Sequence, residues 1–433
     1  MNMTQPNVGE QHEIQLTNLT YSASAVGRLN DIVTFVHRGA PNETALVEIT
    51  GVKKRHLHAR IVDSISPSPV RCPPPCPYFT AECGGCQWQH VNSEAQLIAK
   101  EGVLREALTR IGGLSSLPGI TPHPSPQPLG YRNNLRLTIT SVRPQVTFGF
   151  KQEKSGDVIP IDRCEIALPE INRALPQVAD LITRLRLFHV DEFTIRASAT
   201  DEQVMAILIF PGKYKPRFDF TDKDLLNYPA IHGVFIRSGE RGSPIWMAGK
   251  RTLFETVGGM RYEIGPDTFF QVNLDGLAQL LGIVRERVQA ITPMLAIDAH
   301  CGVGAFTLPI AQNAKATFGL DRQQEAIALA ESNAKTNGII NVSFRAGNLA
   351  KLDRVSANLV VLDPPRGGCW SEDLDALKRI APRHILYISC NPTTLARDLS
   401  QFKTNYEICT LDLVDLFPMT YHFETVVWLQ KRV

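Results

Sequence analysis

Four short apolar segments in the C-terminal part of the chain alternate with helix-forming stretches. Each segment closes on polar or glycine-rich residues: LAIDAHCGVG from 295, ATFGLDR from 316, NLVVLDPPRGG from 358 and HILYISC from 384. A continuously apolar strand is buried on both faces, which requires helices above and below the sheet. We therefore expect an α/β fold with a doubly wound parallel sheet, whose ligands bind outside the carboxyl ends of the strands.

The sequence upstream of this sheet has two different patterns. Residues 12–63 alternate apolar and polar positions in short runs separated by Gly and Asn, which predicts a small β-barrel. The proline-rich stretch that begins at Ser66 indicates a domain boundary, and the mixture of strands and helix after it predicts an α+β domain. The predicted domains are 1–66 for the barrel, 67–268 for the α+β part and 269–433 for the doubly wound sheet.

The composition excludes some classes of protein. With 433 residues the chain is long enough for two or three domains, and its net charge of +2 gives no argument for a nucleic-acid partner. No apolar run reaches the length of a membrane span and the N-terminus lacks a signal-peptide pattern, so we expect a cytoplasmic protein without a membrane partner. There, the nine cysteines are expected to be metal ligands or reactive thiols rather than disulfides. The basic run at 53–60 is either an RNA contact or a solvated strand face.

The loop after the first apolar strand has the glycines of a ligand-binding turn. Gly302 and Gly304 precede a helix, where glycine lets the backbone pass close to a ligand at the helix N-terminus. Thr307 stands where a dinucleotide-binding loop has its third glycine, whereas Asp321, at the end of the next strand, can hold a ribose diol. This combination favours S-adenosylmethionine over NAD, with an ordinary strand–helix turn as the alternative.

Two reactive side chains follow the later strands. Cys390 ends the fourth apolar strand directly before an Asn-Pro turn and a helix, and Glu424 lies further on within FPMTYHFE. A lone cysteine at a strand end is more often a small buried hydrophobe. A thiol and a carboxylate at one sheet edge together indicate covalent catalysis by a nucleophile and a base. Asp363 ends the third strand, and Arg366 stands where enzymes that methylate exocyclic amines carry an aromatic residue, which disfavours amino methylation.

One reaction needs all of these groups. Carbon 5 of uracil is not nucleophilic enough to attack a sulfonium methyl group until a thiolate has added to carbon 6. A base must then remove the proton from carbon 5, and a polar contact must stabilise the enolate. Cys390, Glu424 and Asp363 can serve as nucleophile, base and enolate contact, respectively.

The motifs SCNPTTLARDL, LDPPRGG, FPMTYHFE and DTFFQVN resemble those of the bacterial RNA uracil-5-methyltransferases, and the resemblance covers nearly the whole chain. It implies Cys390 as nucleophile, Glu424 as base, S-adenosylmethionine as methyl donor and an RNA-binding barrel of the TRAM type, similar to an OB-fold. It also implies that Phe269 helps to accommodate a flipped nucleotide. The residues expected at the cofactor or the target base are Gln271, His300, Ala305, Asp321, Asn348 and Asp363.

Three of these positions depart from the family pattern. His300 stands where relatives usually have Tyr or Phe, Ala305 where they have Thr or Asn, and Asn348 where an acid commonly contacts the adenine. Because an amide can still accept and donate hydrogen bonds, we expect weaker cofactor binding rather than none.

A second group of cysteines has the composition of a metal site. Cys76, Cys83 and Cys86 are clustered, and Cys164 is a distant fourth thiol. Four thiolates satisfy either zinc or a [4Fe-4S] cluster, and the spacing alone does not distinguish them. The resemblance implies an iron–sulfur cluster, since the members that act on ribosomal RNA carry one on these cysteines, commonly with a first spacing one residue shorter.

The same resemblance implies a substrate. Bacterial members that modify transfer RNA generally lack both the barrel and the cysteine cluster, so we expect the substrate to be 23S RNA of the large ribosomal subunit, bound by a monomeric enzyme. Arg132 is a candidate RNA contact or a structural turn residue. The alternatives are a transfer-RNA uridine-5-methyltransferase, a non-catalytic ribosome-assembly factor that binds RNA, a redox protein and an RNA cytosine-5-methyltransferase.

Overall fold

The N-terminal segment folds as a closed five-stranded barrel. The structure is a computed structural model that describes residues 6–142, 145–153, 155–212, 218–240, 242–352 and 355–432. Alternate residues point inward, so that Leu16, Val36 and Ile49 are fully buried inside it. The strand order around the barrel is β1-β2-β3-β5-β4. The strands are β1 (Gln11–Leu19), β2 (Ser24–Leu29), β3 (Ile32–His37), β4 (Thr44–Val52) and β5 (His56–Ser66).

A connecting segment follows the barrel and packs on the C-terminal part of the chain. It contains helices α1 (Pro77–Thr80) and α2 (Ser93–Arg110) and strand β6 (Ile120–His123). The side chain of Asn92 caps α2 by accepting a hydrogen bond from the backbone N–H of Ala95 at 2.9 Å.

A seven-stranded sheet forms the middle of the molecule, with the order β13-β12-β11-β10-β7-β8-β9. The apolar face of helix α3, which includes Ile171, Leu175 and Val178, packs on this sheet. A separate pair of strands, β14 and β15, follows it. The elements are β7 (Asn134–Ser141), β8 (Thr147–Lys151), β9 (Val158–Pro160), α3 (Pro169–Arg184), β10 (Glu192–Ala197), β11 (Val204–Phe210), α4 (Asp222–Leu225), β12 (Gly233–Ser238), β13 (Ile245–Gly249), β14 (Leu253–Val257) and β15 (Met260–Ile264).

The C-terminal part forms an eight-stranded sheet in the order β18-β17-β16-β19-β20-β22-β21-β6. Strands β16 to β20 are parallel, and β22 is antiparallel to both of its neighbours. The elements are α5 (Leu274–Ile291), β16 (Leu295–Asp298), α6 (Thr307–Ala311), β17 (Ala316–Asp321), α7 (Gln324–Thr336), β18 (Val342–Ala346), a 3-10 turn (Leu349–Lys351), β19 (Leu359–Leu362), α8 (Ser371–Ile380), β20 (His384–Ser389), α9 (Pro392–Leu399), β21 (Tyr406–Val414) and β22 (Glu424–Lys431).

This architecture confirms the predicted α/β class, with its N-terminal barrel and doubly wound sheet. The strand order reverses between β16 and β19, which opens a crevice at the carboxyl ends of these strands. The domain boundaries stay a prediction. Within the segment 67–268, α2 packs against α9, and β6 pairs with β21, so part of that segment is spatially joined to the C-terminal sheet. Among the helices of the described ranges, none is long and apolar enough to cross a membrane.

A buried ion pair fixes α2 to the loop that precedes β22. The Nζ atom of Lys100 lies 2.6 Å from Oδ1 of Asp415, and both side chains are almost completely buried. Lys100 also donates to the carbonyl of Phe417 at 3.2 Å, and its Nζ atom lies 5.8 Å from the ring centroid of Trp88. Burial lowers the pKa of Lys100, and the nearby Asp415 opposes this shift.

Replacing Lys100 by Met should destabilise the protein by about 3 to 5 kcal/mol, because Asp415 would remain buried without a counter-charge. Urea unfolding monitored by tryptophan fluorescence is a suitable measurement, since Trp88 packs near this lysine. The control is Arg105→Met, which removes an exposed pair with Glu101 and should cost less than about 1 kcal/mol. Equal losses in the two variants would contradict the prediction.

Candidate active site

The glycine loop after β16 holds the carboxylate that ends β17. Gly302 and Gly304 have φ angles of +53° and +91°, which an L side chain rarely adopts. The backbone N–H of Gly302 donates to Oδ2 of Asp321 at 3.0 Å, and that of Gln323 donates to Oδ1 at 2.8 Å. Asp321 is therefore oriented at the crevice, where the remaining lone pairs of its carboxylate can accept hydrogen bonds from a diol.

A second carboxylate lies beneath the same loop. Asp298, the last residue of β16, is fully buried and accepts a hydrogen bond from the hydroxyl of Thr307 at 2.6 Å. Burial raises the pKa of Asp298 to about 7. Sequence reasoning noted Thr307 only as a missing glycine and did not select Asp298, although an acid at the end of the first parallel strand was a usable signal.

Aromatic and cationic side chains cluster next to the glycine loop. The rings of His300 and Trp370 have centroids 6.0 Å apart, and the Arg322 guanidinium lies 3.9 Å from the Trp370 ring centroid. Burial, assisted by Arg322, lowers the pKa of His300 to about 4, so the imidazole is neutral at pH 7. Asn348 and Lys351 border the adjoining cavity of about 290 Å³ with Arg322.

Two other residues expected at the cofactor are placed by backbone hydrogen bonds. Gln271 is buried, and its carbonyl accepts a bond from the side-chain amide of Asn133 at 3.1 Å. The carbonyl of Ala305 accepts one from the hydroxyl of Tyr262 at 3.1 Å.

The thiol and the two acids predicted for the reaction come from three neighbouring strands. Asp363 follows β19, Cys390 follows β20 and Glu424 begins β22, and these strands are adjacent in the sheet. At the end of the pairing between β20 and β22, Ser389 lies opposite Thr425. The structure thus brings Cys390, Glu424 and Asp363 to one end of the sheet, as the sequence predicts.

Burial and mutual repulsion control the charge of these three groups. Burial raises the pKa of Cys390 to about 12, and the carboxylates of Glu424 and Asp363 contribute to the increase. Burial likewise raises the pKa of Glu424 well above its ordinary value, with a further increase from Asp363. Within the described residues, Oε2 of Glu424 has no hydrogen-bond partner. Buried acids with strongly shifted pKa values in a crevice are typical of functional sites.

Arg366 supplies the opposing charge. Its guanidinium acts against the increase in the pKa values of Cys390 and Glu424. Its backbone carbonyl accepts hydrogen bonds from the side chains of Asn391 at 3.0 Å and Thr394 at 3.3 Å, which join the loop after β19 to the start of α9. Sequence reasoning used Arg366 only to disfavour amino methylation and gave it no role at the thiol.

Of the two candidate RNA contacts, Phe269 is exposed and Arg132 is partly buried. Phe269 is 64% exposed, an unusual position for a large aromatic side chain. The buried Arg196 holds the loop before it by donating to the carbonyls of Gly265 and Thr268, each at 2.8 Å. Arg132 donates from Nε to the carbonyl of Asn134 at 3.0 Å and lines a cavity together with Arg366.

That cavity, of about 400 Å³, also brings the four predicted ligand cysteines together. Burial raises the pKa of Cys86 to about 12 and that of Cys164 to about 11, and the neighbouring thiols contribute to both shifts. In the part of the chain that the structure describes, however, no three His, Cys, Asp or Glu side chains are placed so that they could hold a metal ion. All nine cysteines are free thiols.

Comparison with known proteins identifies the class. Residues 344–432 match the profile of the tRNA (Uracil-5-)-methyltransferase family, and residues 296–382 match a methyltransferase domain. An uncharacterized RNA methyltransferase of Nostoc sp. (strain PCC 7120 / SAG 25.82 / UTEX 2576) is 33% identical over 97% of this chain and 96% of its own length. One from Aquifex aeolicus (strain VF5) is also 33% identical, over 97% of this chain and 98% of its own length.

A solved structure is similar over the same extent. The Pyrococcus abyssi tRNA (uracil-54, C5)-methyltransferase in complex with S-adenosyl-L-homocysteine superposes with a TM-score of 0.75 and 25% identity, covering 96% of this chain and 100% of that one. The fold and these similarities define an S-adenosylmethionine-dependent RNA methyltransferase. The chain belongs to the RNA (uracil-5-)-methyltransferase family, which confirms the resemblance found in the motifs.

Replacing Asp363 by Asn should stabilise the free protein at pH 8, with a gain that shrinks as the pH falls toward 4. Burial, with a contribution from Asp298, raises the pKa of Asp363 from 3.8 to about 8. The folded state therefore holds a proton that the unfolded chain releases, and the stability contributed by this group is lost as the pH rises through that interval. Removing the charge should raise the free energy of unfolding by roughly 1 to 3 kcal/mol at pH 8.

Thermal unfolding at pH 5 and pH 8 measures this effect. Glu407→Gln, which neutralises an exposed carboxylate, is the control and should give no pH-dependent gain. An Asp363→Asn variant whose stability differs from the wild type by the same amount at both pH values would show that Asp363 does not titrate in this interval.

Proposed function

We propose that this enzyme methylates carbon 5 of a uridine in RNA, with Cys390 as covalent nucleophile and Glu424 as base. The observation that carries the proposal is the placement of a thiol and two buried acids at one end of three adjacent strands, beside the crevice of a methyltransferase sheet. A protein that only binds RNA has no need of this costly arrangement.

In the proposed reaction the Cys390 thiolate adds to carbon 6 of the uracil. The electron pair of the 5,6 double bond moves to an enolate, which the protonated carboxyl of Asp363 can stabilise by donating a hydrogen bond. Carbon 5 then forms a bond to the methyl group as the bond between that methyl and the sulfonium sulfur breaks. Glu424 takes the proton from carbon 5, the double bond re-forms and the thiolate leaves.

The pKa values indicate when the thiolate forms. In the free protein the raised pKa of Cys390 keeps the thiol protonated at pH 7. S-adenosylmethionine supplies a positive sulfonium as well as the methyl group, and a cation in the crevice favours ionisation of nearby thiols and carboxylates. Arg366 acts in the same direction, so that the nucleophile is activated when the site is filled rather than before.

The donor is proposed to lie in the crevice between β16 and β19. Asp321, held by the backbone N–H groups of the glycine loop, would accept the ribose hydroxyls, and Asn348 would contact the adenine. His300 and Ala305 of the loop, with Gln271 and Asp363, complete the proposed set. On the RNA side, Phe269 would accommodate the flipped base and Arg132 would contact a phosphate or a base.

Large-subunit ribosomal RNA is the substrate that we propose, on the basis of the barrel and the four cysteines. A transfer RNA is the second candidate, because the Pyrococcus abyssi enzyme named for tRNA uracil 54 is similar over 96% of this chain, barrel included. The barrel alone therefore does not separate the two substrates.

Methylation of separate ribosomal-RNA and transfer-RNA pools that lack 5-methyluridine tests both parts of the proposal. The wild type should form 5-methyluridine in the ribosomal pool, as read by nucleoside mass spectrometry. Cys390→Ala should form none, because carbon 5 cannot be activated without the adduct. Glu424→Gln should accumulate RNA covalently bound to the protein, because the proton on carbon 5 then stays in place.

The outcomes separate the alternatives. Product in transfer RNA alone would keep the mechanism and replace the substrate. Product formed by Cys390→Ala would contradict covalent catalysis. Absence of product in both pools, with donor binding intact, would favour a non-catalytic assembly factor.

We further propose that Cys76, Cys83, Cys86 and Cys164 hold a [4Fe-4S] cluster, supported by their shared cavity. A zinc ion is the alternative, because four thiolates satisfy it as well; among the described residues, no three ligand side chains are placed to hold a metal ion. When bound, the cluster would cross-link the connecting segment to the middle of the molecule. None of the steps of methyl transfer requires it.

Protein purified without oxygen should contain about four irons per chain, and Cys86→Ser should lose them. Iron and zinc analysis with absorption spectroscopy measures this. Cys72→Ser is the matched control, because Cys72 lies outside the cavity that the four thiols share, and it should retain the metal. Zinc in place of iron, or equal iron in both variants, would contradict the proposal.

A further inference from the structure

The barrel extends one side chain into the candidate active site. Tyr21 lies in the turn between β1 and β2, and its hydroxyl donates to the backbone carbonyl of Cys390 at 3.0 Å. Nδ1 of His422 lies 3.3 Å from the same hydroxyl oxygen. Tyr21 thus joins the residue proposed as nucleophile to a residue two positions before the proposed base.

The ring of Tyr21 packs on the segment that leads to Glu424. Its centroid lies 5.1 Å from that of Tyr421, 5.8 Å from that of His422 and 6.1 Å from that of Phe423, and all three contacts are edge-to-face. The half-buried Tyr21 also packs against the core of the C-terminal sheet. One side chain of the barrel therefore contacts Cys390 itself and the three residues that directly precede Glu424.

The turn that carries Tyr21 is held on both sides. Within it, the backbone N–H and the hydroxyl of Thr20 donate to the carbonyl of Ser24 at 3.0 and 2.8 Å. From outside, the indole N–H of Trp88 donates to the carbonyl of Ser22 at 3.0 Å. The backbone N–H of Trp88 in turn donates to the carbonyl of Met419, in the loop before β22.

The proton inventory determines the direction of these bonds. A carbonyl can only accept, so the single hydroxyl proton of Tyr21 is donated to Cys390. His422 must then donate from Nδ1 to the tyrosine oxygen, which assigns the Nδ1-protonated tautomer. The bond to Cys390 requires the Tyr21 hydroxyl to keep its proton, in agreement with burial, which raises the pKa of Tyr21. Burial lowers the pKa of His422 to about 3, so the imidazole is neutral at pH 7 and carries one proton.

We infer that Tyr21 is a positioning residue for methyl transfer, through which the barrel fixes the peptide of the nucleophile and the approach to the base. The inference rests on the proposed function. Pairing of β20 with β22 ends at Ser389, so the carbonyl of Cys390 lies just beyond the sheet ladder. Without the donor from the barrel, the Cys390–Asn391 peptide would keep the bond from its N–H to the Ser389 hydroxyl at 3.2 Å but lose the bond at its carbonyl. Small displacements of a nucleophile are costly to rate.

Single-turnover methylation of RNA by Tyr21→Phe tests the inference. The rate should fall by about tenfold, while the dissociation constants of RNA and S-adenosylmethionine change by less than about twofold. The covalent adduct with RNA containing 5-fluorouridine should form more slowly by the same factor. The matched control is Tyr406→Phe, whose hydroxyl also donates to a backbone carbonyl, that of Pro382 at 2.7 Å, and which should retain the wild-type rate.

A wild-type rate in Tyr21→Phe, or a loss confined to RNA affinity, would overturn the inference. Absence of product with the wild type would instead contradict the proposed function. A second measurement does not use the Tyr21→Phe variant. Nitrogen NMR of the wild type at pH 7 observes the His422 imidazole, whose signal is assigned by its absence from the spectrum of His422→Gln. Protonation at Nδ1 is expected, and protonation at Nε2 would contradict the hydrogen-bond chain even if Tyr21→Phe failed to fold.

Discussion

The burial of acidic side chains at the carboxyl edge of the C-terminal sheet is the constraint on which the site depends. Asp415 and Glu424 are both buried acids close together in the chain, but the fold treats them differently. Asp415 is paired with Lys100 at 2.6 Å, whereas Oε2 of Glu424 has no partner among the described residues. The fold thus neutralises an acid that has a structural role and leaves the candidate base unpaired, at a cost in stability that a role in the reaction explains.

Much of the fold could be predicted because its pattern is local. Each parallel strand is a short apolar run that closes on a glycine loop or a polar residue, and the carboxyl ends of such strands meet at one edge. The convergence of Asp363 and Cys390 follows from that rule, whereas Glu424 reaches the same edge because it begins the antiparallel strand β22. The addition of β6 to the edge of the sheet could not be predicted, because a four-residue strand with proline in it has no periodicity, and its pairing partner is β21, far away in the chain.

The remaining parts of the site depend on contacts between distant segments. The hydrogen bond from Tyr21 joins positions that differ by 369 in the sequence, and no spacing or composition of the barrel indicates it. The grouping of Cys164 with the three clustered cysteines depends on the packing of the middle sheet against the connecting segment. The pKa shifts also depend on distant segments, because they arise from burial. That burial is complete only after the barrel, the connecting segment and the sheet have packed together.

The barrel, the connecting segment and the C-terminal sheet meet at one loop, so they are not structurally independent units. The loop before β22 receives Lys100 and Trp88 from the connecting segment and Tyr21 from the barrel, and Glu424 follows it directly. The barrel is therefore part of the wall of the candidate active site as well as a candidate RNA-binding surface. The turn that holds the Cys390 peptide belongs to the barrel, so the proposed RNA-binding domain and the placement of the proposed nucleophile share one structural element. Since Cys390 in the free protein is held as a neutral thiol, such coupling would restrict its activation to the complex in which RNA and donor are both present.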